Sequence, residues 1–299
     1  MNSEVRARAY ELLGSLLVGE RAAIAKVREI APFANVLCGQ HEAEIAAEHY
    51  SVFALEAFPY AGVFTEEEAL VGGRIANRVA AILEAVGESE LLGDESPDHI
   101  GNILRVTAVL LRHAKNDAAV LLLRECLLPW IAPWASAVSR QRGGFWLFVV
   151  ETCLELLGEH LDGAEPTRDA LTAPLKLSES TGVNQIATAL TIPAVAGAFL
   201  SREDIRNFGR SFELPTGFGS RRLMLTNLLR AAAEYQQGPA LLTALSVFFE
   251  EEGEQIDCVS TETKGFSPEI SSAWSTRARQ TSSALASMEV ELATAEATV

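Results

Sequence analysis

An acidic and an imidazole side chain stand next to each other at Asp98-His99, a few residues after Glu95 and directly after Pro97. These types can exchange a proton, but neighbours on a helix point about 100° apart, so the two do not form an acid–base pair on one atom. Two readings stay open. Either they cap a helix and bond locally, or each contacts a partner. A second place for chemistry is Gly217-Phe218-Gly219-Ser220, where an anion could rest at a helix start. No strand precedes it, so the nucleotide signal is weak. Cys38, Cys126, Cys153 and Cys258 lie far apart and form no Cys-x-x-Cys pair, which reads as structural thiols. The histidines lack ligand spacing, and no metal site or cofactor is expected. Phosphate-binding loops, dinucleotide fingerprints, nucleophile elbows and zinc-protease motifs are missing, so the chain reads as non-enzymatic.

The elements that must position these residues are helices. After Ser96, read as a cap, and Pro97, read as the first helical residue, Ile100, Ile103, Leu104, Leu110 and Leu111 follow helical spacing. Val106 and Val109 widen the apolar surface, so this helix belongs inside the protein. On this reading Asp98 only complements the helix dipole, and Asp98→Asn costs a few tenths of a kcal/mol. Before it, helices are expected over 3–18, over 20–37 with a break at Pro32, and over 40–56, where His49 is a hydrogen-bonded core histidine. Phe58-Pro59-Tyr60-Ala61-Gly62-Val63-Phe64 then interrupts as an aromatic loop, packed on the core or gripping an apolar peptide. Thr65-Glu66-Glu67-Glu68 reads as a capping box opening a helix through Val71, Ile75, Val79, Ile82 and Val86.

After the central helix, Asp117 is expected to cap the next one, Pro129 to end or kink it, and Trp130 and Trp134 to pack inside. Residues 144–161 form a further helix with Glu151, Glu155 and Glu159 on its wet side. The sequence divides into a helical core over 1–161, a linker or long loop over 162–185, a second helical segment over 186–252 packed on the core, and a mostly disordered tail over 253–299 with a weak helix near 280–297. Arg221, Arg222 and Arg230 form a small basic patch, read as ion pairs with neighbouring glutamates. The fold class is all-α, a bundle of roughly ten helices.

The 299 residues carry a formal net charge of −16 and are 48 % hydrophobic. Such acidity excludes duplex nucleic acid and suits a basic partner. No apolar run of about 18 residues could span a membrane, and the first residues lack a signal-peptide core. A cytoplasmic protein is expected.

Glu95-x-Pro97-Asp98-His99-Ile100, the apolar helix after it, and Leu127-x-Pro129-Trp130 together resemble the TorD family. Its members are cytoplasmic chaperones that mature molybdopterin oxidoreductases. Tyr50, Phe53, Pro59 and Tyr60 match the family's aromatic pattern. Ala61-Gly62 stands where the family often has Glu-Ser, and Ile103 where an acidic residue is frequent. The resemblance implies a non-catalytic chaperone that holds the apo catalytic subunit during cofactor insertion. It also implies recognition of the twin-arginine leader where the client is exported. Glu95, Pro97, Asp98, His99, Tyr50, Phe53 and Tyr60 would contact the client or leader, and the chaperone would be a monomer or a helix-swapped dimer. The rival reading is a helical regulatory or scaffold module that binds a protein partner.

Overall fold

The computed structural model describes residues 2–141, 144–167, 171–174 and 181–296, with side chains through Met288. Among them it is all-α. The elements are α1 (Ser3–Val18), α2 (Arg21–Val27), α3 (Ala31–Val36), α4 (Glu42–His49), α5 (Ala61–Thr65), α6 (Arg74–Val86), α7 (Ile100–Arg112) and α8 (Asn116–Cys126). They continue as α9 (Leu128–Ser139), α10 (Gly144–Leu161), α11 (Val183–Leu190), α12 (Pro193–Ala196), α13 (Arg202–Ser211), α14 (Arg221–Glu234), α15 (Gly238–Glu262) and α16 (Glu269–Glu296). A π-helical turn, Tyr50–Glu56, extends α4, and a 3₁₀ turn spans Ser89–Leu92. The elements are more numerous and shorter than periodicity suggests, because proline and glycine divide the apolar stretches.

The core is built around α7, whose apolar residues are buried on every side. It lies against α1, where Gly14 and Gly101 allow backbone contact. A Cβ on Gly14 would stand 2.6 Å from the Gly101 carbonyl oxygen, so neither position has room for a larger side chain. Helices α8 and α9 meet at a 60° bend beside Pro129. Trp130 and Trp134 on α9 are fully buried. No single described helix is long and apolar enough to cross a membrane. Cys126 and Cys153 are buried, Cys258 is half-buried and Cys38 is exposed, and none of them is in a disulfide.

Two helix starts differ from expectation. Thr65 does not open a helix. It ends α5, and its hydroxyl donates to the Ala61 carbonyl at 2.9 Å. Helix α6 starts later, at Arg74, whose N–H is capped by the Glu66 carboxylate at 3.1 Å. Gly72 and Gly73, both with positive φ, break the helical path that Thr65 and Glu68 would otherwise begin. Similarly, α8 is entered from Lys115, with Asp117 inside the first turn.

The tail boundary is also redrawn. The chain after Gly253 is rich in serine, threonine and alanine, yet α15 runs to Glu262 and α16 packs back along it as an antiparallel hairpin. Small side chains let the two helices approach closely. Their hydroxyls bond across the seam, Ser246 to Ser282 at 3.0 Å and Ser260 to Ser271 at 2.5 Å, so these four are satisfied on burial. Trp274 anchors α16 on α9 by donating to the Pro129 carbonyl at 2.7 Å. Apolar content alone underestimates such a seam.

Candidate functional site

The residues 95–99 make a turn, not the first turn of a helix. Pro97 is half-buried within it, and the N-cap of α7 is His99, whose Nδ1 accepts the Gly101 N–H at 3.0 Å. Asp98 is wholly buried. Its Oδ2 accepts the N–H groups of Gly62 at 2.9 Å and Gly72 at 3.1 Å, and its Oδ1 accepts the Ser96 hydroxyl at 2.5 Å. One carboxylate thus fastens three segments: its own turn, α5, and the loop over 66–73. Backbone bonds reinforce the joint, from Ala61 N–H to the Asp98 carbonyl and from Ile100 N–H to the Pro59 carbonyl.

The aromatic loop of the sequence reading is therefore a short buried helix, α5, held edge-on to this turn. Gly62 sits where a Cβ would meet the Leu70 carbonyl oxygen at 2.2 Å. This contact leaves no room at position 62 for a residue larger than glycine.

Tyr60 donates to Glu95 at 2.6 Å, and its ring meets that of His99 edge-on at 5.0 Å. Burial and then the bond to Glu95 push the Tyr60 hydroxyl above its ordinary range. Burial pushes the His99 imidazole down to about 3, and the nearby His49 acts in the same direction. His99 is thereby a neutral ring whose lone pair caps α7. His49 bonds the Leu17 carbonyl at 2.9 Å and packs against Phe53 and Trp146.

Of the residues proposed from the sequence to touch a client, the structure brings together Tyr60, Glu95, Asp98 and His99. It does not leave them equally accessible. Asp98, His99 and Phe53 are buried, and Phe53 stacks on Trp134 in the core. Tyr50 is 61 % exposed, on the surface of the π-helical turn. Asp98 and His99 are also not simple caps on a dipole. They are the fastening point of the segment that follows α5.

That segment carries the accessible chemistry. Leu70 and Val71 are 59 % and 52 % exposed, beside the exposed Glu67 and Glu68. On one side lies a groove of about 690 Å³ lined by Glu66, Glu67, Glu68, Leu70, Val71 and Leu171. On the other side a second groove of about 650 Å³ reaches Phe58, Arg202 and Arg221. Thr65–Glu68 has the pattern of a helix start, which hides this loop in the sequence. The Gly72-Gly73 pair, directly after an acidic run and two apolar residues, was the signal available for it.

Residues 20–138 match the family model described as nitrate reductase delta subunit. Over these residues the chain is similar to that family. The match spans α2 through nearly all of α9, including Asp98, His99, Tyr60 and the acidic loop. The family is one of molybdoenzyme maturation chaperones, TorD-like proteins among them, and is not a family of catalysts. No curated protein matches the chain.

Proposed function

We propose that this protein is a cytoplasmic chaperone that holds the immature catalytic subunit of a molybdopterin oxidoreductase while its cofactor is inserted. The family match over 20–138 is the observation that carries this reading. We further assign recognition of a twin-arginine leader to the acidic groove. Such a leader joins a basic end to an apolar stretch. Glu66, Glu67 and Glu68 offer charge, and Leu70, Val71 and Leu171 offer apolar contact. Asp98 and His99 serve this surface without touching the client, by fixing the loop through Gly62, Gly72 and the start of α7.

The test uses the full chain and a leader peptide with paired arginines. Apolar contact should hold the complex together, while charge sets encounter and selectivity, so salt should weaken binding without abolishing it. Glu67→Gln with Glu68→Gln should lower affinity several-fold at low salt and leave the melting temperature unchanged. Equal titration heats for a scrambled, charge-matched peptide would reject the leader assignment. Failure to co-purify with an apo-molybdoenzyme subunit, while a holo-subunit or unrelated proteins are captured equally, would reject the chaperone reading itself.

A further inference from the structure

The groove on the opposite side of the loop has the reverse polarity. Arg221 opens α14, a helix of 14 residues capped by the Ser220 hydroxyl. Its side chain lines the groove and is only 9 % exposed. It donates to the Leu200 carbonyl at 3.1 Å, and its guanidinium lies 4.1 Å from the Phe199 ring centre. Among the described residues it has no ion pair. The carboxylates that act on it electrostatically, Asp204 and Glu56, are engaged elsewhere. Asp204 accepts from Arg140 and from the Ser201 N–H, and Glu56 accepts from Arg206 and from the Glu203 N–H.

Arg202 stands nearby over Phe58, 5.8 Å from the ring centre, and its buried Nε has no hydrogen-bond partner. Arg222 completes the basic wall. Desolvation, with Arg202 adding, pulls the Arg221 guanidinium down to about 10. A buried cation in that position is costly unless an anion joins it. The positive end of the α14 dipole favours the same sign of ligand.

We propose that this groove binds an otherwise apolar peptide segment through one acidic side chain, its carboxylate meeting Arg202, Arg221 and the start of α14. The composition of the walls selects this ligand. Three arginines and two glutamates, Glu67 and Glu68, line the groove, so its formal charge is +1, which matches a single carboxylate better than a polyanion. Phe58, Val63, Leu70, Val71 and Ile192 supply the apolar lining for the flanking residues. The assignment rests on this groove and not on the leader assignment, because the leader's basic end belongs on the acidic side.

Fluorescence anisotropy on the full chain decides it. The probe is a short acetylated, amidated peptide of leucine, phenylalanine and valine with one central glutamate. It should bind, and its glutamine counterpart should bind roughly ten- to a hundredfold more weakly, the loss expected for a charge-assisted hydrogen bond. Arg221→Met and Arg202→Gln should each lose at least the lower end of that range, with circular dichroism melting unchanged for the latter. If Arg221→Met fails to fold, Arg202→Gln alone decides. Neither variant should alter leader-peptide affinity. Equal binding of the glutamine peptide, or full affinity in Arg202→Gln, overturns the proposal. So does tighter binding of a glutamate-free peptide with a free terminal carboxylate, or millimolar inorganic phosphate occupying the groove when the glutamate peptide does not.

Discussion

Asp98 and Arg221 are both buried charges, one on each side of the same loop, and their surroundings differ in one respect. Asp98 receives three hydrogen bonds from its own chain and is out of solvent altogether. Arg221 has one carbonyl and an aromatic face, and every carboxylate that influences it is bound to other donors. A buried charge whose bonding capacity is used by the fold is a structural joint. One whose charge is left uncompensated beside a groove is open to a ligand.

The largest expected effect tests the joint. Asp98→Ala strands the buried N–H of Gly62 and the half-buried N–H of Gly72, and at about 1–3 kcal/mol for each unsatisfied group it should cost about 4 kcal/mol in urea unfolding. Asp98→Asn keeps one acceptor but turns an amide donor toward another, and should cost about 2 kcal/mol, far above a dipole cap. A loss within a few tenths of a kcal/mol would restore the simple capping role.

The next effect is on pH. The folded-state pKa of His99 is lowered to about 3, so the unfolded chain takes up the proton first as the solution is acidified. Stability contributed by the neutral ring is full above the ordinary histidine range and is lost as pH falls from there toward about 3. Between pH 7 and pH 5 the loss should be about 2 kcal/mol. His49 and His160, also lowered by burial, add to the loss in the same window, so urea midpoints of the parent and of His99→Gln at the two values isolate the His99 share, and a His99 ring resonance that titrates above pH 5 would contradict it.

Tyr60→Phe removes the 2.6 Å bond to Glu95 and should cost about 1 kcal/mol, leaving the Asp98 joint in place. A loss as large as that of Asp98→Ala would mean that Tyr60, not Asp98, fastens the loop. The smallest effect is expected at Arg221. Replacing a poorly compensated buried cation with an apolar side chain of similar volume is often neutral or stabilising, so Arg221→Met should move stability by less than about 1 kcal/mol. Destabilisation comparable to Asp98→Asn would place Arg221 among the structural joints, and the contrast between the two charges would collapse.

Much of this was legible in the sequence. The apolar spacing in 3–18, 100–112 and 144–161 predicts three helices, and the glutamate stripe gives the last of them its wet side. The motif from Glu95 to Ile100 lies in the turn that precedes the central helix. Its role did not follow, because the partners of Asp98 at Gly62 and Gly72 lie 36 and 26 residues away. The basic patch is legible in the sequence too, but among the described residues Arg221 lacks the pairing expected with glutamates, and Arg230 bonds Asn184 instead.

The sequence by itself determined the all-α class, the buried central helix and the resemblance in the motif, because helical periodicity and local chemistry act over a few residues. Tertiary structure alone decided three other things. It converted Asp98 from a cap into a joint, since only folding brings distant N–H groups to one carboxylate. It made a packed hairpin of the serine-rich chain after Gly253, since small side chains become favourable only when a second helix lies against them. And it placed Arg221 beside a groove without a carboxylate of its own, since a charge is compensated or not by what surrounds it in space.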